Sequence, residues 1–209
     1  MRLEKALALL IGVVAAASLL GQGHMLVGLT AEKGGHLGLA IWVFFGFFTI
    51  LTNGLVALAC LARARGVWPL WWPSAKMMLA CLALNLVLVA MVYHLLLSRL
   101  WNPVGLHWWA DQGLHSAVPG LFLVYWALFA PKAGLVWRDA LRWLVYPAGY
   151  FAYALARGAV DGWYPYPFLD VGKLGYGVVF ANALVMTALL VGAGLAMVAA
   201  SRVLPQGRA

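Results

Sequence analysis

A hydroxyl and an imidazole stand inside otherwise apolar stretches of this chain. Thr49 lies in Phe47-Phe48-Thr49-Ile50-Leu51-Thr52-Asn53, and His115 lies in Asp111-Gln112-Gly113-Leu114-His115-Ser116-Ala117-Val118-Pro119. A threonine hydroxyl deprotonated by a histidine is the minimum set for attack on an acyl carbon, with the acyl group held on threonine as an intermediate. Polar groups cost free energy in hydrocarbon, so where they occur they usually face a protein interior or a cavity. Both residues also have plainer uses. A threonine in an apolar helix bonds its hydroxyl to the carbonyl four residues back, and a histidine there joins two helices.

The neighbours extend both readings. Asn53 is one helical turn from Thr49, so it is a candidate donor to a developing oxyanion or, equally, a bridge between helices. Asp111 is one turn before His115, where a carboxylate fixes the imidazole tautomer and stabilises its cation. His107 adds a further turn to that stripe. A His107-Asp111-His115 zinc site is the alternative, but three residues on one helix need further ligands to surround an ion. His24, His36 and His94 read as boundary residues, and Asn85 and Asn182 as isolated polar links in apolar helices.

The composition requires lipid as a solvent. Of 209 residues, 65% are hydrophobic and 10% charged, with a mean hydropathy of +0.91. A soluble domain is about half apolar. We therefore read an all-α integral membrane protein forming one domain over 1–209. A net charge of +8 in a soluble chain points to nucleic acid; here the basic residues fall between apolar segments and topology accounts for them, so no nucleic-acid partner is implied. Cys60 and Cys81 have no metal-site or disulfide spacing and read as packing residues. No cofactor is assigned. Arg2 and Lys5 followed by an apolar run resemble a signal peptide, but the run continues to about Val27, which is long enough to span.

Six transmembrane helices are expected, at about 6–27, 38–61, 75–97, 106–130, 139–157 and 174–200. Turn-rich breaks separate them: Gly34-Gly35, Trp71-Trp72-Pro73, Asn102-Pro103, Pro131-Lys132, and 158–172. Ten basic residues then fall on one side (Arg2, Lys5, Arg63, Arg65, Lys76, Lys132, Arg138, Arg142, Arg202, Arg208) and four on the other (Lys33, Arg99, Arg157, Lys173). Both termini are therefore expected in the cytoplasm, with a bacterial cytoplasmic membrane as the location. Tryptophans mark both boundaries, with Trp68, Trp71, Trp72, Trp137 and Trp143 inside and Trp101, Trp108, Trp109 and Trp163 outside.

In this frame Thr49 and His115 come to one depth. Thr49 is 11 residues past Gly38 and His115 nine past Leu106, or roughly 16 and 14 Å into the bilayer. The string from Gly162 to Asp170, Gly-Trp-Tyr-Pro-Tyr-Pro-Phe-Leu-Asp, lies at the outer interface. Its two prolines hold it extended. Trp163, Tyr164, Tyr166 and Phe168 then form either an interfacial anchor or a lid over a substrate pocket, with Arg157, Asp161 and Asp170 placed to pair beside it.

Three strings in this order resemble the androgen-induced-gene family of multipass membrane proteins: Phe48-Thr49 with Asn53, Gly113-Leu114-His115-Ser116 with Val118-Pro119, and Tyr166-Pro167-Phe168-Leu169. The resemblance runs from about Phe44 to Asn182, and what it implies is a bacterial-type relative of that family. It implies a threonine hydrolase of fatty-acid esters of hydroxy fatty acids, with Thr49 as nucleophile and His115 as its histidine. The animal members tend to carry histidines just before the Tyr-Pro-Phe string, where this chain has Gly158 and Ala159. Two other functions remain open: a non-enzymatic carrier for an apolar ligand, which needs a pocket but no Thr49–His115 hydrogen bond, and the zinc hydrolase.

Overall fold

A computed structural model describes residues 2–70 and 72–207; Trp71 and Arg208, used above for topology, lie outside the described residues. All regular structure among the described residues is helical. The chain runs α1 (Arg2–Glu32), α2 (Leu37–Phe44), α3 (Phe48–Arg65), α4 (Ala75–Val92), α5 (Leu106–Gln112), α6 (Val118–Phe129), α7 (Trp137–Arg142), α8 (Val145–Asp161) and α9 (Val171–Ala200). Two π-helical segments intervene, Tyr93–Leu97 after α4 and Gly113–Ala117 between α5 and α6. Among the described residues, α1, α3, α4 with its π segment, and α9 are long and apolar enough to cross a membrane. Their outward faces are apolar, with Leu20, Leu95, Leu184 and Val185 more than half exposed. Such a surface suits a lipid solvent.

α1 packs most extensively on α3. Its buried residues Ala8, Ile11, Gly12, Ala15, Ser18, Gly21 and Met25 recur every three or four positions. Small residues at that spacing let backbones approach closely. A Cβ on Gly12 would come within 2.9 Å of the Leu61 side chain, and one on Gly21 would meet Ala110 at 3.0 Å. On the far side of the bundle, α9 rests on α4 and α7, where Gly194 faces Ala140.

The 38–61 segment is not one helix. The chain leaves helical conformation at Phe45-Gly46-Phe47 and restarts at Phe48. A break at this depth needs partners for the freed carbonyls, and α8 supplies them. Tyr150 donates to the Gly46 carbonyl at 2.9 Å, Tyr153 to Phe45 at 3.1 Å and Arg157 Nη2 to Trp42 at 2.7 Å. Tyr146, next on that face, bonds the Thr52 hydroxyl at 3.1 Å. The residue at the break must also be small. A Cβ on Gly46 would lie 2.6 Å from Trp163 and 2.8 Å from Arg157.

The 139–157 segment is likewise divided, with α7 ending at Arg142 and α8 starting at Val145. Pro147, near the start of α8, sits where a missing N–H is tolerated. The 106–130 segment is α5, a π segment and α6, and does not meet the length and hydropathy of a spanning helix among the described residues. The 6–27, 75–97 and 174–200 segments fall on α1, α4 with its π segment, and α9, although α1 is longer than expected and Gly175 kinks the start of α9 with a φ of 73°.

The basic connections meet at one end of the bundle. Arg63 pairs with Glu4 at 2.7 Å and donates to Tyr125, Arg202 stacks on Trp137 at 4.4 Å, and the Gly207 amide bonds the Ala130 carbonyl. Lys132 departs from the pattern of a solvated loop charge. It is buried, and its ammonium caps the end of α6 through the carbonyls of Trp126 and Ala130 at 2.9 and 2.6 Å. Burial pushes its pKa below the ordinary lysine value.

Candidate active site

The helix break places Thr49. Thr49 is the second residue of α3 and 8% exposed. The first amides of a helix have no intrahelical acceptor; the Thr49 N–H donates instead to the Tyr166 hydroxyl at 3.4 Å, and the Thr49 side chain lies beside the same hydroxyl. The depth estimate, made for two unbroken helices, no longer applies, because α2 and α3 are separate and a π segment interrupts the second. Proximity rests on shared surroundings instead.

Two cavities flank Thr49. The larger, about 380 Å³, lies between α3, α4, α8 and α9. Among the described residues its wall holds no Asp, Glu, Lys or Arg, and Leu88, Val92, Phe151, Met186 and Leu190 make it apolar. The smaller, about 300 Å³, lies toward α1 and α5 and is lined partly by Gln22, Trp101 and Asp111. Thr49, His115, Tyr166 and Leu97 belong to both walls. The residues where nucleophilic chemistry was expected therefore form the partition between the two chambers.

His115 is held from the other side. Its Nδ1 is 2.9 Å from the Asp111 carbonyl and 3.3 Å from the Asp111 carboxylate Oδ1. Both are acceptors, so the arrangement assigns the proton to Nδ1 and leaves the lone pair on Nε2. Nε2 has no hydrogen-bond partner among the described residues, and His115 lines both cavities. Asp111 is fully buried, and its Oδ1 stands beside Nδ1 without a hydrogen bond. The bond is to the Asp111 backbone carbonyl, so the four-residue spacing brings the carboxylate to the imidazole but not into the hydrogen bond of a triad. His107 does not join it; among the described residues no three of His, Cys, Asp and Glu gather where they could hold a metal ion.

Other expected roles change. Asn53 is fully buried outside both cavities, and its amide donates to the carbonyls of Thr49 at 2.9 Å and Leu114 at 3.3 Å. It ties α3 to the π segment and has no N–H left for an oxyanion. Thr52, the neighbouring hydroxyl, is buried against Tyr146 and lines neither cavity. Tyr166 and Phe168 do line the larger cavity, stacked on each other at 5.2 Å. Trp163 and Tyr164 do not. Trp163 packs on Phe47, and Tyr164 fills the space over Gly158, where a Cβ would lie 2.0 Å from its ring. They brace the loop, while Asn182 anchors it to α9 through the Phe168 carbonyl at 3.0 Å.

Arg157 pairs with neither Asp161 nor Asp170. It is 4% exposed, lies over the Trp42 ring at 3.9 Å and donates to the Trp42 carbonyl and to Tyr153. Arg157→Ala should lower stability by about 2–3 kcal/mol, through an unpaired carbonyl and a lost cation–π contact; a thermal melt in detergent reads it. Arg157→Lys keeps the charge but loses the planar fork, and should recover less than half of that loss. Asp161 accepts from the Trp42 indole at 2.6 Å, and this bond, more than the Trp163 amide, holds its carboxyl below the ordinary carboxylate range. Its contribution is present above the unfolded pKa and is lost as pH falls through the lowered folded value.

Sequence reasoning missed Tyr93, Tyr146, Tyr150 and Tyr153. The last three, with Arg157, recur on one face of α8 at spacings of four, three and four. That polar stripe in an apolar helix was the available signal. No family model matches the chain, and neither the curated proteins nor the solved structures give a match.

Proposed function

We propose that this chain is a bacterial-type relative of the androgen-induced-gene family, a six-segment multipass protein of the cytoplasmic membrane with both termini inside, and that it hydrolyses an apolar lipid ester. The observation that carries this reading is the partition: Thr49 and His115, the latter with one imidazole nitrogen free of hydrogen bonds among the described residues, line both chambers. An ester at that wall places its acyl chain in the larger, apolar chamber and its alcohol part in the smaller one, as in the fatty-acid esters of hydroxy fatty acids. His115 Nε2 takes the Thr49 proton as Oγ1 attacks the carbonyl carbon, then passes it to the leaving alkoxide. Water entering through the more polar chamber loses a proton to the same nitrogen and attacks the acyl-threonine. The free acid leaves and Thr49 regains its hydrogen.

One observation favours a second reading. Thr49 and His115 share no hydrogen bond among the described residues; the hydroxyl lies beside Tyr166 instead. A carrier for an apolar ligand needs the chambers and not that bond. Catalytic hydrogen bonds often close only when substrate binds, so function must be read directly. Purified protein in lipid nanodiscs, given long-chain esters of long-chain alcohols, should release free acid, and pretreatment with a fluorophosphonate should stop the release. Saturable binding of those esters, with no acid released from any of them, would establish the carrier.

A further inference from the structure

We propose that Tyr93 is a positioning residue for His115; the inference rests on reading His115 as the base. Tyr93 opens the first π segment and is 5% exposed. Its ring lies parallel to the His115 imidazole, with centroids 4.0 Å apart and planes 12° apart. Its hydroxyl donates to Asp111 Oδ2, while Oδ1 of that carboxylate stands 3.3 Å from His115 Nδ1. One side chain therefore covers the imidazole face and, through Asp111, sets a carboxylate oxygen that makes no hydrogen bond beside its Nδ1 edge.

Both π segments contribute to this arrangement. Such segments insert one residue per turn and redirect the side chains that follow, and they recur at functional sites. Here they bring Tyr93 and His94 against His115 and Ser116. Gln112 completes the clamp. Its amide nitrogen approaches both Tyr93 Oη and Asp111 Oδ2 at 3.5 Å, and its oxygen accepts from Ser116 at 2.9 Å.

Two consequences follow. The Tyr93 hydroxyl fixes the rotation of the carboxylate, so that Oδ1 stands beside Nδ1, which favours the proton on that nitrogen and leaves the lone pair on Nε2. The ring face attracts the imidazolium that forms when His115 accepts a proton. The Asp111 carbonyl also holds Nδ1–H, so Tyr93 acts on orientation and charge and is not the sole lock on the tautomer.

The test uses full-length protein in nanodiscs labelled with ¹⁵N-histidine, with the His115 signals assigned by His115→Gln. The wild type should show His115 as one Nδ1–H tautomer. Tyr93→Leu, which removes both contacts, should show averaging with the Nε2–H form. A wild-type His115 dominated by Nε2–H, or unchanged tautomer populations in Tyr93→Leu, would overturn the proposal. Tyr93→Phe keeps the stack and the shape and serves if the leucine variant does not fold. It should lower the maximal rate of fluorophosphonate labelling about tenfold, the loss of one charge-assisted hydrogen bond, without changing the probe concentration for half-maximal rate. A Tyr93→Phe protein with an unaltered maximal rate would count against the role. The nuclear magnetic resonance arm decides even if the wild type proves to hydrolyse nothing.

Discussion

Thr49→Ala and His115→Ala should each lower fluorophosphonate labelling by about three orders of magnitude or more, with the fold intact. Members of a nucleophile–base pair act as a unit, so loss of either costs nearly as much as loss of both. The double variant should therefore be little worse than either single one. Thr49→Ser keeps the hydroxyl and should label. Stability should change little in Thr49→Ala, because the side chain sits in the first turn of α3 beside a cavity. The competing hydroxyls are poorly placed. Thr52 is buried against Tyr146 and lines neither chamber. Ser116 donates its hydrogen to Gln112 Oε1. The His94 nitrogen 3.1 Å away must then be the donor in their contact, which leaves His94 no lone pair there with which to activate the serine.

Asp111→Asn should reduce labelling by about 10²- to 10³-fold. The carboxylate stabilises the imidazolium, and an amide cannot. If the Asn oxygen keeps the Tyr93 hydroxyl, its N–H₂ faces His115 Nδ1, donor against donor. The imidazole must then turn or move its proton to Nε2, and a protonated Nε2 is no base. The Asp111 backbone carbonyl opposes that change from 2.9 Å, which is why the loss should stay below that of removing the imidazole. The expected signature is a lower maximal rate at constant half-saturation, measured by labelling kinetics.

Much of the architecture is legible in the sequence because lipid imposes simple rules. The uninterrupted apolar run of α1 and the length of α4 with its π segment follow from hydropathy alone. So does the meeting of Asp111 and His115, since residues four apart share a helix face. The break before Thr49 is not legible in that way. Phe44-Phe45-Gly46-Phe47-Phe48 reads as a continuous apolar run, and only Tyr150, Tyr153 and Arg157, over a hundred residues away, supply the hydrogen bonds that let it open. The π segments leave no mark in the pattern either. They set which face His115 and Tyr93 present, so Tyr93 could be found only once helices four and five were placed together. Lys132 and Arg157 follow the same logic. Counted as surface charges in a topology argument, they are buried and bonded to carbonyls that no local rule identifies.

The most direct test of the account is the site of covalent modification. Wild-type protein treated with a fluorophosphonate, digested and sequenced by tandem mass spectrometry should carry the phosphonyl group on Thr49, and Thr49→Ala should carry none. An adduct on Thr52 or Ser116, or none on the folded wild-type protein, would contradict a threonine nucleophile at the partition between the chambers.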